Sequence, residues 1–272
     1  MIVDWDDAYA NTSHIPDGAG YPPRWAAEAA AFRVDWSARG LAELDLAYGD
    51  ADRERFDLFR PDGAPAGLLV FVHGGYWMAF DKSTWSHLTK GALARGWAVA
   101  IPSYTLAPAA RLSDITRQIG RAITAAAVRI EGPLRLAGHS AGGHLVTRMI
   151  CEDSPLPPEA AARIAQVVSI SGLHDLHPLL LTTRMNATLR LDAAEAASES
   201  AALRQPAADA RVVCWVGENE RPEFIRQNDL LADRWAGLCA QTRAVRAAGR
   251  HHFNVIEDLA DPDAELARLC AP

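Results

Sequence analysis

The sequence predicts an α/β fold in which helices cover both faces of a doubly wound, mostly parallel sheet. From residue 67 onward, continuous apolar runs alternate with stretches of helical periodicity, a pattern typical of parallel strands buried on both faces. The chain has 272 residues, 49% of them hydrophobic, so it can bury a large core. Because no Pro/Ser-rich linker, internal repeat or low-complexity run interrupts it, we expect a single domain over residues 1–272.

The predicted strands fall into an N-terminal hairpin and a parallel set. The hairpin strands, residues 41–48 and 55–59, alternate polar and apolar side chains, so we expect an antiparallel pair at the sheet edge. The parallel strands are predicted at residues 68–72, 98–103, 134–137, 167–171, 211–216 and 242–246. Helices are predicted near residues 85–94, 113–130, 143–151, 224–238 and 263–269. This alternation implies right-handed crossovers.

Two further segments are predicted to form a helical cap. The first covers approximately residues 1–40, where five Trp and Tyr side chains lie among acidic and alanine-rich turns. The second covers approximately residues 174–208, because about 40 residues join two successive strands where a crossover needs far fewer. We expect the shape of the cap to decide substrate choice.

Composition excludes several classes of partner. The formal net charge of −7 gives no general attraction to nucleic acid or anionic lipid. No apolar run approaches the roughly 18 to 20 residues of a membrane span, and the first seven residues are acidic where a secretory signal is basic, so we expect a cytoplasmic protein. The cysteines show no C-x-x-C pair and are interpreted as reduced packing residues: Cys151, Cys214, Cys239 and Cys270.

A nucleophile-elbow pattern follows the predicted strand 134–137. Residues 138–142 read Gly-His-Ser-Ala-Gly, a G-x-S-x-G sequence between a strand and a helix. Small residues are needed there because the chain reverses sharply and holds the serine in a strained conformation. This context predicts the α/β-hydrolase fold, with Ser140 as nucleophile and the backbone N–H of Ala141 facing any oxyanion that forms.

Further oxyanion donors are predicted in the loop after the first parallel strand. Residues 73–77 read His-Gly-Gly-Tyr-Trp. Two successive glycines let the backbone approach a substrate carbonyl, so the N–H groups of Gly74 and Gly75 can complete an oxyanion hole with that of Ala141. We interpret His73 as a structural residue that holds the loop.

The acid and the base are expected after the last two strands, because a triad in this fold follows the order Ser, acid, His. His252 is preferred to His251 as the base, since the phenylalanine that follows it can anchor the ring. Glu220 is the first choice for the acid, with Asp175 and Glu218 as alternatives. No third ligand at a recognisable spacing accompanies the two histidines, so we expect no metal.

The side chains predicted to contact substrate lie on or after the oxyanion loop, beside the serine, and in the cap. They are Tyr76, Trp77, Phe80, Trp85, His139, Met185 and Asn186. The aromatic members that follow the oxyanion glycines can form one wall of a substrate site. Trp85 has an equally good interpretation as packing for the helix that it begins.

Several of these motifs together resemble the α/β-hydrolase type of kynurenine formamidase (arylformamidase), which is related to esterases. The resemblance rests on residues 73–77, 104–108, 138–144, 220–224 and 252–253 and on the N-terminal residues 6–11, and so covers most of the chain. It implies Ser140 as nucleophile, His252 as base and Glu220 as acid, where the family commonly has Asp. It also implies N-formyl-L-kynurenine or a related aryl formamide as substrate, a role in tryptophan catabolism, and no metal or organic cofactor.

Two other functions remain open from the sequence. A carboxylesterase acting on short-chain acyl esters uses the same machinery, and the motifs do not separate it from a formamidase. A catalytically silent binding protein on this fold is the third possibility, disfavoured because the serine, the donor loop and the histidine are all present. The expected partner is a small-molecule substrate, with neither nucleic acid nor membrane, and the sequence leaves a homodimer open.

Overall fold

The computed structural model describes residues 4–238 and 241–272, which form an eight-stranded sheet with helices on both faces. The strands are β1 (Ala42–Ala47), β2 (Arg55–Phe59), β3 (Leu68–Val72), β4 (Ala98–Pro102), β5 (Leu134–His139), β6 (Ile164–Ile170), β7 (Arg211–Gly217) and β8 (Gln241–Ala247). Their order is β1-β2-β4-β3-β5-β6-β7-β8. β2 pairs antiparallel with both β1 and β4, whereas every pair from β4 to β8 is parallel. The predicted parallel sheet with an antiparallel hairpin at its edge is confirmed.

In the part of the chain that the structure describes, ten α-helices surround the sheet. They are α1 (Trp5–Ala8), α2 (Tyr21–Ala38), α3 (Lys90–Ala94), α4 (Leu112–Ala127), α5 (Ala141–Arg148), α6 (Pro158–Ala161), α7 (Arg184–Leu189), α8 (Ala193–Glu199), α9 (Pro222–Trp235) and α10 (Glu265–Cys270). Short 3₁₀ turns lie at Thr12–His14, Gly18–Gly20, Lys82–Thr84, Ser86–Thr89, His177–Leu181, Ala201–Leu203 and Glu257–Ala260. Within the described residues no helix is both long and apolar enough to cross a bilayer.

The central strands are apolar because both of their faces are covered. Every residue of β3 and β4 is buried. Side chains on one face of β3, such as Val70, join a core with α4, α5 and α9, while those on the other, such as Phe71, join a second core with α2, α3 and α10. Alternate side chains of a strand point to opposite faces, so a strand buried on both sides reads as one continuous apolar run.

Most differences from the predicted elements occur at strand and helix ends. β6 begins at Ile164 and stops at Ile170, one residue short of its predicted end, because Ser171 has a φ of 53° and cannot continue a strand. The segment predicted as one helix over residues 85–94 is a 3₁₀ turn followed by the short α3.

The two predicted cap segments are built from short helices, apart from α2. Helix α1 packs against the His177–Leu181 turn, so the first and second segments meet. Helix α2 instead lies on a sheet face, where Trp25 and Phe32 are buried. Whether these segments govern access to the site stays a prediction.

Three of the four cysteines are buried free thiols: Cys151, Cys214 and Cys270. Burial raises the pKa of the Cys151 thiol to about 11 and that of Cys214 to about 12, so both stay protonated and unreactive at neutral pH. This matches their interpretation as packing residues. Cys239 lies outside the described residues.

Candidate active site

Ser140 stands at the bend between β5 and α5, with φ 55° and ψ −117°. This conformation is sparsely populated for a residue with a Cβ and costs on the order of 1–3 kcal/mol, so its surroundings must hold it. The Ser140 N–H donates to the carbonyl of Ile170 at 2.8 Å. A Cβ at Gly142 would lie 1.9 Å from the carbonyl oxygen of Val72, and one at Gly138 would lie 2.1 Å from that of Gly142. Glycine is therefore required at both flanking positions of the elbow.

The oxyanion loop, residues 74–80, follows β3 and lies directly against the serine. A Cβ at Gly74 would lie 3.0 Å from the Cβ of Ser140 and 2.9 Å from the carbonyl oxygen of His139. Gly75 has a φ of 110°, a region that is open to glycine. The pair of glycines thus brings the backbone of this loop directly against the side chain of Ser140, as the predicted oxyanion hole would need.

His73, just before these glycines, is fully buried behind the loop. Its Nδ1 donates to the carbonyl of Gly74 at 2.7 Å, and its ring stacks on Tyr104 with 4.5 Å between centroids. Burial lowers the pKa of His73 to about 4, so the ring is neutral at physiological pH. These contacts fit a residue that holds the loop in place.

His252 and Glu220 form a buried pair at the carboxyl ends of β8 and β7. The distance from His252 Nδ1 to Glu220 Oε2 is 2.6 Å, and the two side chains are 4% and 0% exposed. The other oxygen, Oε1, accepts hydrogen bonds from Ser171 Oγ at 2.5 Å and from the N–H of Gly217 at 2.9 Å. The Phe224 ring lies 4.3 Å from the imidazole and limits its movement. The carboxylate is thus oriented by two donors and presents its free oxygen to the imidazole.

The alternative residues are engaged elsewhere. Asp175 Oδ1 lies 2.9 Å from Nδ1 of His177, and Glu218 accepts from the N–H of Gly249 at 3.3 Å. His251 Nε2 lies 3.2 Å from the hydroxyl of Tyr21. Of the candidate carboxylates, Glu220 is the one that contacts an imidazole following β8.

Ser140 and His252 both follow strands at the carboxyl edge of the sheet, and His139 links the two segments. β5, β6, β7 and β8 are successive parallel neighbours, so the residues that follow β5, β7 and β8 share one edge. His139 Nε2 donates to the carbonyl of His252 at 2.9 Å, and the two rings are 4.7 Å apart. Burial, together with the His252 ring, holds the pKa of His139 well below its usual range. The structure records no hydrogen bond between the Ser140 hydroxyl and His252; such bonds often tighten only in the substrate complex.

A cleft of about 820 Å³ opens beside the oxyanion loop. Among the residues predicted to contact substrate, Tyr76 and Met185 line it. Trp77 and Trp85 instead lie in the core, 0% and 2% exposed, where Trp77 packs against His144 and Trp85 against Trp25.

The other residues predicted to contact substrate are half-buried or buried. Phe80 packs edge-on against Trp85. The Asn186 side chain hydrogen-bonds in both directions with the backbone of Leu191. His139 is 4% exposed and holds the His252 loop, as described above. These contacts make His139 and Asn186 local supports, and their contact with substrate stays a prediction.

Several polar residues near the site were not identified from the sequence. Ser171 supports the carboxylate of Glu220, but it was predicted as the last residue of a strand. Tyr9 and Asn11 reach the oxyanion loop from far away in the chain, and the single signal available was the N-terminal stretch that also carries the family resemblance. Their roles depend on long-range contacts that no local pattern specifies.

Known proteins resemble this chain along most of its length. The family model described as BD-FAE matches residues 56–230. Kynurenine formamidases from Salmo salar and Danio rerio are each 28% identical to it, covering 85% and 83% of the chain and 82% and 80% of their own lengths. A solved structure from Silicibacter sp. TM1040, described as a thioesterase candidate, is 54% identical, covers 98% of both chains and has a TM-score of 0.93.

A more distant solved structure shares the fold alone. It is a thermostable carboxylesterase cloned from a metagenomic library, 17% identical, with a TM-score of 0.65 over 80% of this chain and 82% of its own. The buried His–Glu pair beside a strained serine, the fold, and the family match over residues 56–230 agree with one another. The chain therefore belongs to the BD-FAE family and is a hydrolase of the arylformamidase and esterase type within the α/β-hydrolases.

Proposed function

We propose that this chain is a serine hydrolase that cleaves an aryl formamide, such as N-formyl-L-kynurenine, through an acyl-enzyme on Ser140. The observation that carries the catalytic part is the buried contact of 2.6 Å between His252 and Glu220, at the sheet edge where Ser140 is held in its strained bend. The kynurenine formamidases that align with 83–85% of this chain support a formamide as the substrate class.

In the first step, Ser140 Oγ attacks the formyl carbon while Nε2 of His252 accepts the hydroxyl proton. Glu220 accepts a hydrogen bond from the protonated Nδ1 of His252. This bond keeps Nε2 free to accept the proton of Ser140, and the carboxylate stabilises the imidazolium that forms. The oxyanion accepts hydrogen bonds from the N–H groups of Ala141 and Gly75, assisted by Gly74. Each such donor contributes a factor of about 10² to 10³ in turnover.

In the second step, the C–N bond breaks and the aryl amine leaves with the proton from His252. A water molecule then attacks the formyl-serine while His252 accepts its proton. As the bond between the formyl carbon and Ser140 Oγ breaks, His252 returns that proton to Oγ and formate leaves, which restores Ser140. Every group in this scheme belongs to the protein or is water, so we expect turnover to persist in the presence of EDTA.

The cleft beside the oxyanion loop is the proposed site for the leaving group. Tyr76 and the flexible side chain of Met185 are on its wall, and Tyr76 directly follows Gly75 in the oxyanion loop. An aromatic ring and a thioether give good contact with a planar aryl group. Phe80, the last residue of that loop, is half-buried and packs edge-on against Trp85.

A short-chain ester or thioester is the second candidate substrate class. It is favoured by the 54% identical relative described as a thioesterase candidate. Both substrate classes need the same nucleophile, base and donors, so the catalytic residues do not distinguish them.

A substrate panel separates the candidates. We would measure kcat/KM for N-formyl-L-kynurenine, p-nitrophenyl acetate and an acetyl thioester with the purified protein and with Ser140→Ala. The proposal requires formamide turnover well above background that Ser140→Ala abolishes. Good ester or thioester turnover with background formamide turnover would assign the second class instead. A fluorophosphonate probe that leaves Ser140 unlabelled would refute a serine hydrolase of either kind.

A further inference from the structure

The backbone of the oxyanion loop adopts unfavourable conformations that contacts within the loop do not stabilise fully. Besides Gly75, three of its residues have positive φ angles: 53° at Tyr76, 58° at Trp77 and 69° at Phe80. Side chains with a Cβ disfavour this region, so such conformations persist only where surrounding contacts fix them. Within the loop, the N–H groups of Met78 and Ala79 both donate to the Gly75 carbonyl. The remaining support must come from outside.

Part of that support comes from the Ala107 N–H and the Arg53 guanidinium, which donate to the carbonyls of Trp77 and Phe80. The hydroxyl of Tyr76 receives the rest from the N-terminal segment. It donates to the carbonyl of Tyr9 at 2.7 Å and accepts from Nδ2 of Asn11 at 2.8 Å. Asn11 is 3% exposed, so water competes little for this bond. The Tyr76 ring lines the cleft while its hydroxyl is held by these two partners.

The same N-terminal segment also hydrogen-bonds to the residues that follow the proposed acid, Glu220. The Tyr9 hydroxyl, in a side chain that is 1% exposed, donates to Oε1 of Glu223 at 2.8 Å. Glu223 is three residues after Glu220, in the first turn of α9, and is itself buried. Burial and the Glu223 carboxylate raise the pKa of Tyr9 far above its usual range, so the phenol stays a donor.

Two charged residues near the surface add a further contact between the same two segments. The Arg221 guanidinium, one residue after Glu220, pairs with the carboxylate of Asp7 and donates to its carbonyl. Residues 7–11, here called the strap, therefore contact the oxyanion loop on one side. On the other side they contact the acid-bearing loop, residues 218–221, and the start of α9.

We propose that the strap couples these two loops, and that Tyr76, Asn11 and Tyr9 are positioning residues for the hydrolytic reaction. The strap is joined to the oxyanion loop by two hydrogen bonds and to the start of α9 by a buried one. It sets where the N–H groups of Gly74 and Gly75 point without contacting the reacting atoms. This proposal rests on the proposed function, because it assigns a task within that same site.

Tyr76→Phe tests the strap while preserving the cleft wall. The variant keeps the ring but removes both hydrogen bonds, so the oxyanion donors lose part of their alignment while substrate contact is retained. We expect kcat to fall about 10-fold and KM to stay within about 2-fold, since misplacement of a donor costs less than its loss. Tyr48→Phe is the matched control, because it deletes a hydroxyl that donates to the Ser103 carbonyl at 2.6 Å and should leave kcat unchanged.

A double-mutant cycle adds a test that unfolding cannot imitate. Asn11→Ala should lower kcat severalfold in the wild-type background and have no further effect in Tyr76→Phe, because its partner atom is already absent. Amide hydrogen exchange across residues 74–80 should be faster in both single variants, with melting temperatures close to the wild-type value.

The outcomes distinguish this proposal from the one on which it rests. A wild-type protein that hydrolyses neither ester nor formamide overturns the proposed function, and the strap's catalytic task with it. A wild-type protein that is active, with Tyr76→Phe and Asn11→Ala both at full kcat, overturns the strap alone. A raised KM with unchanged kcat in Tyr76→Phe also overturns it, since the hydroxyl would then serve substrate binding. An additive double mutant contradicts the coupling through Tyr76.

Discussion

Replacing Glu220 by glutamine is the sharpest single test of the proposed mechanism. Glutamine has the same shape, but it offers one oxygen and one NH₂ group. Because Ser171 Oγ and the Gly217 N–H both donate to Oε1, that position must keep the oxygen of the new side chain. The NH₂ group then faces Nδ1 of His252 at the position that Oε2 occupies, 2.6 Å away.

Two losses follow from this orientation. A donor facing Nδ1 favours the tautomer with its proton on Nε2, and such an imidazole cannot accept a proton from Ser140. The negative charge opposite the imidazolium is also lost. For charge centres roughly 4 Å apart at an effective dielectric constant of about 20, that attraction is about 4 kcal/mol. At about 1.4 kcal/mol per tenfold change in rate, we expect kcat for Glu220→Gln to fall about 10³-fold with KM little changed.

The assay is steady-state hydrolysis of the best substrate in the panel, with Asp175→Asn as the matched control. Asp175 is one of the two alternative acids, and its carboxylate contacts His177. We expect Asp175→Asn to keep kcat within about 3-fold, since this half-buried pair contacts neither Ser140 nor His252 and a partly solvated ion pair contributes little. If Glu220→Gln stayed within tenfold of wild type while Asp175→Asn lost a hundredfold or more, the acid assignment would be refuted.

Three further changes have defined outcomes. Ser171→Ala removes a buried donor from the Glu220 carboxylate and should lower kcat about 10-fold at unchanged KM, measured by steady-state kinetics. Gly142→Ala places a Cβ within 1.9 Å of a backbone oxygen and should lower the free energy of unfolding by more than about 4 kcal/mol in urea titrations. Burial lowers the pKa of His144 and of His174 to about 3, so the unfolded chain binds these protons below about pH 6.5 while the folded chain does not. Stability should therefore fall as the pH drops from 6.5 toward 3, by up to about 1.4 kcal/mol per pH unit for each histidine, in urea titrations at pH 7, 6 and 5.

Matched controls accompany these changes. Ser154→Ala removes a hydroxyl that donates to the Met149 carbonyl, so it should leave kcat unchanged. Gly249→Ala has no atom within 4 Å of its new Cβ and is disfavoured by its φ of 69° alone, so it should cost about 1 kcal/mol. Three results would contradict these expectations. They are a kcat for Ser171→Ala equal to that of its control, equal stabilities of the two glycine variants, and a free energy of unfolding that does not change between pH 7 and 5.

Local patterns were sufficient to predict the sheet and the elbow. β2 and β3 begin and end at the predicted residues, because burial on a fixed face dictates which positions are apolar. The elbow was predictable because a Cβ at Gly138 would lie 2.1 Å from the carbonyl oxygen of Gly142, four residues further on, which restricts position 138 to glycine. Chemistry of this kind acts within a few residues and is therefore visible in the sequence.

The choice among carboxylates and the supports around the site were decided by tertiary structure. Asp175, Glu218 and Glu220 all follow strands at the same sheet edge, and the folded chain alone turns one of them toward His252. Ser171 is 49 residues away in sequence from the Glu220 carboxylate that it supports. Asn11 of the strap is 65 residues away from Tyr76. Hydrogen bonds depend on distances of a few tenths of an ångström and on direction, and these are set only once distant segments have packed together.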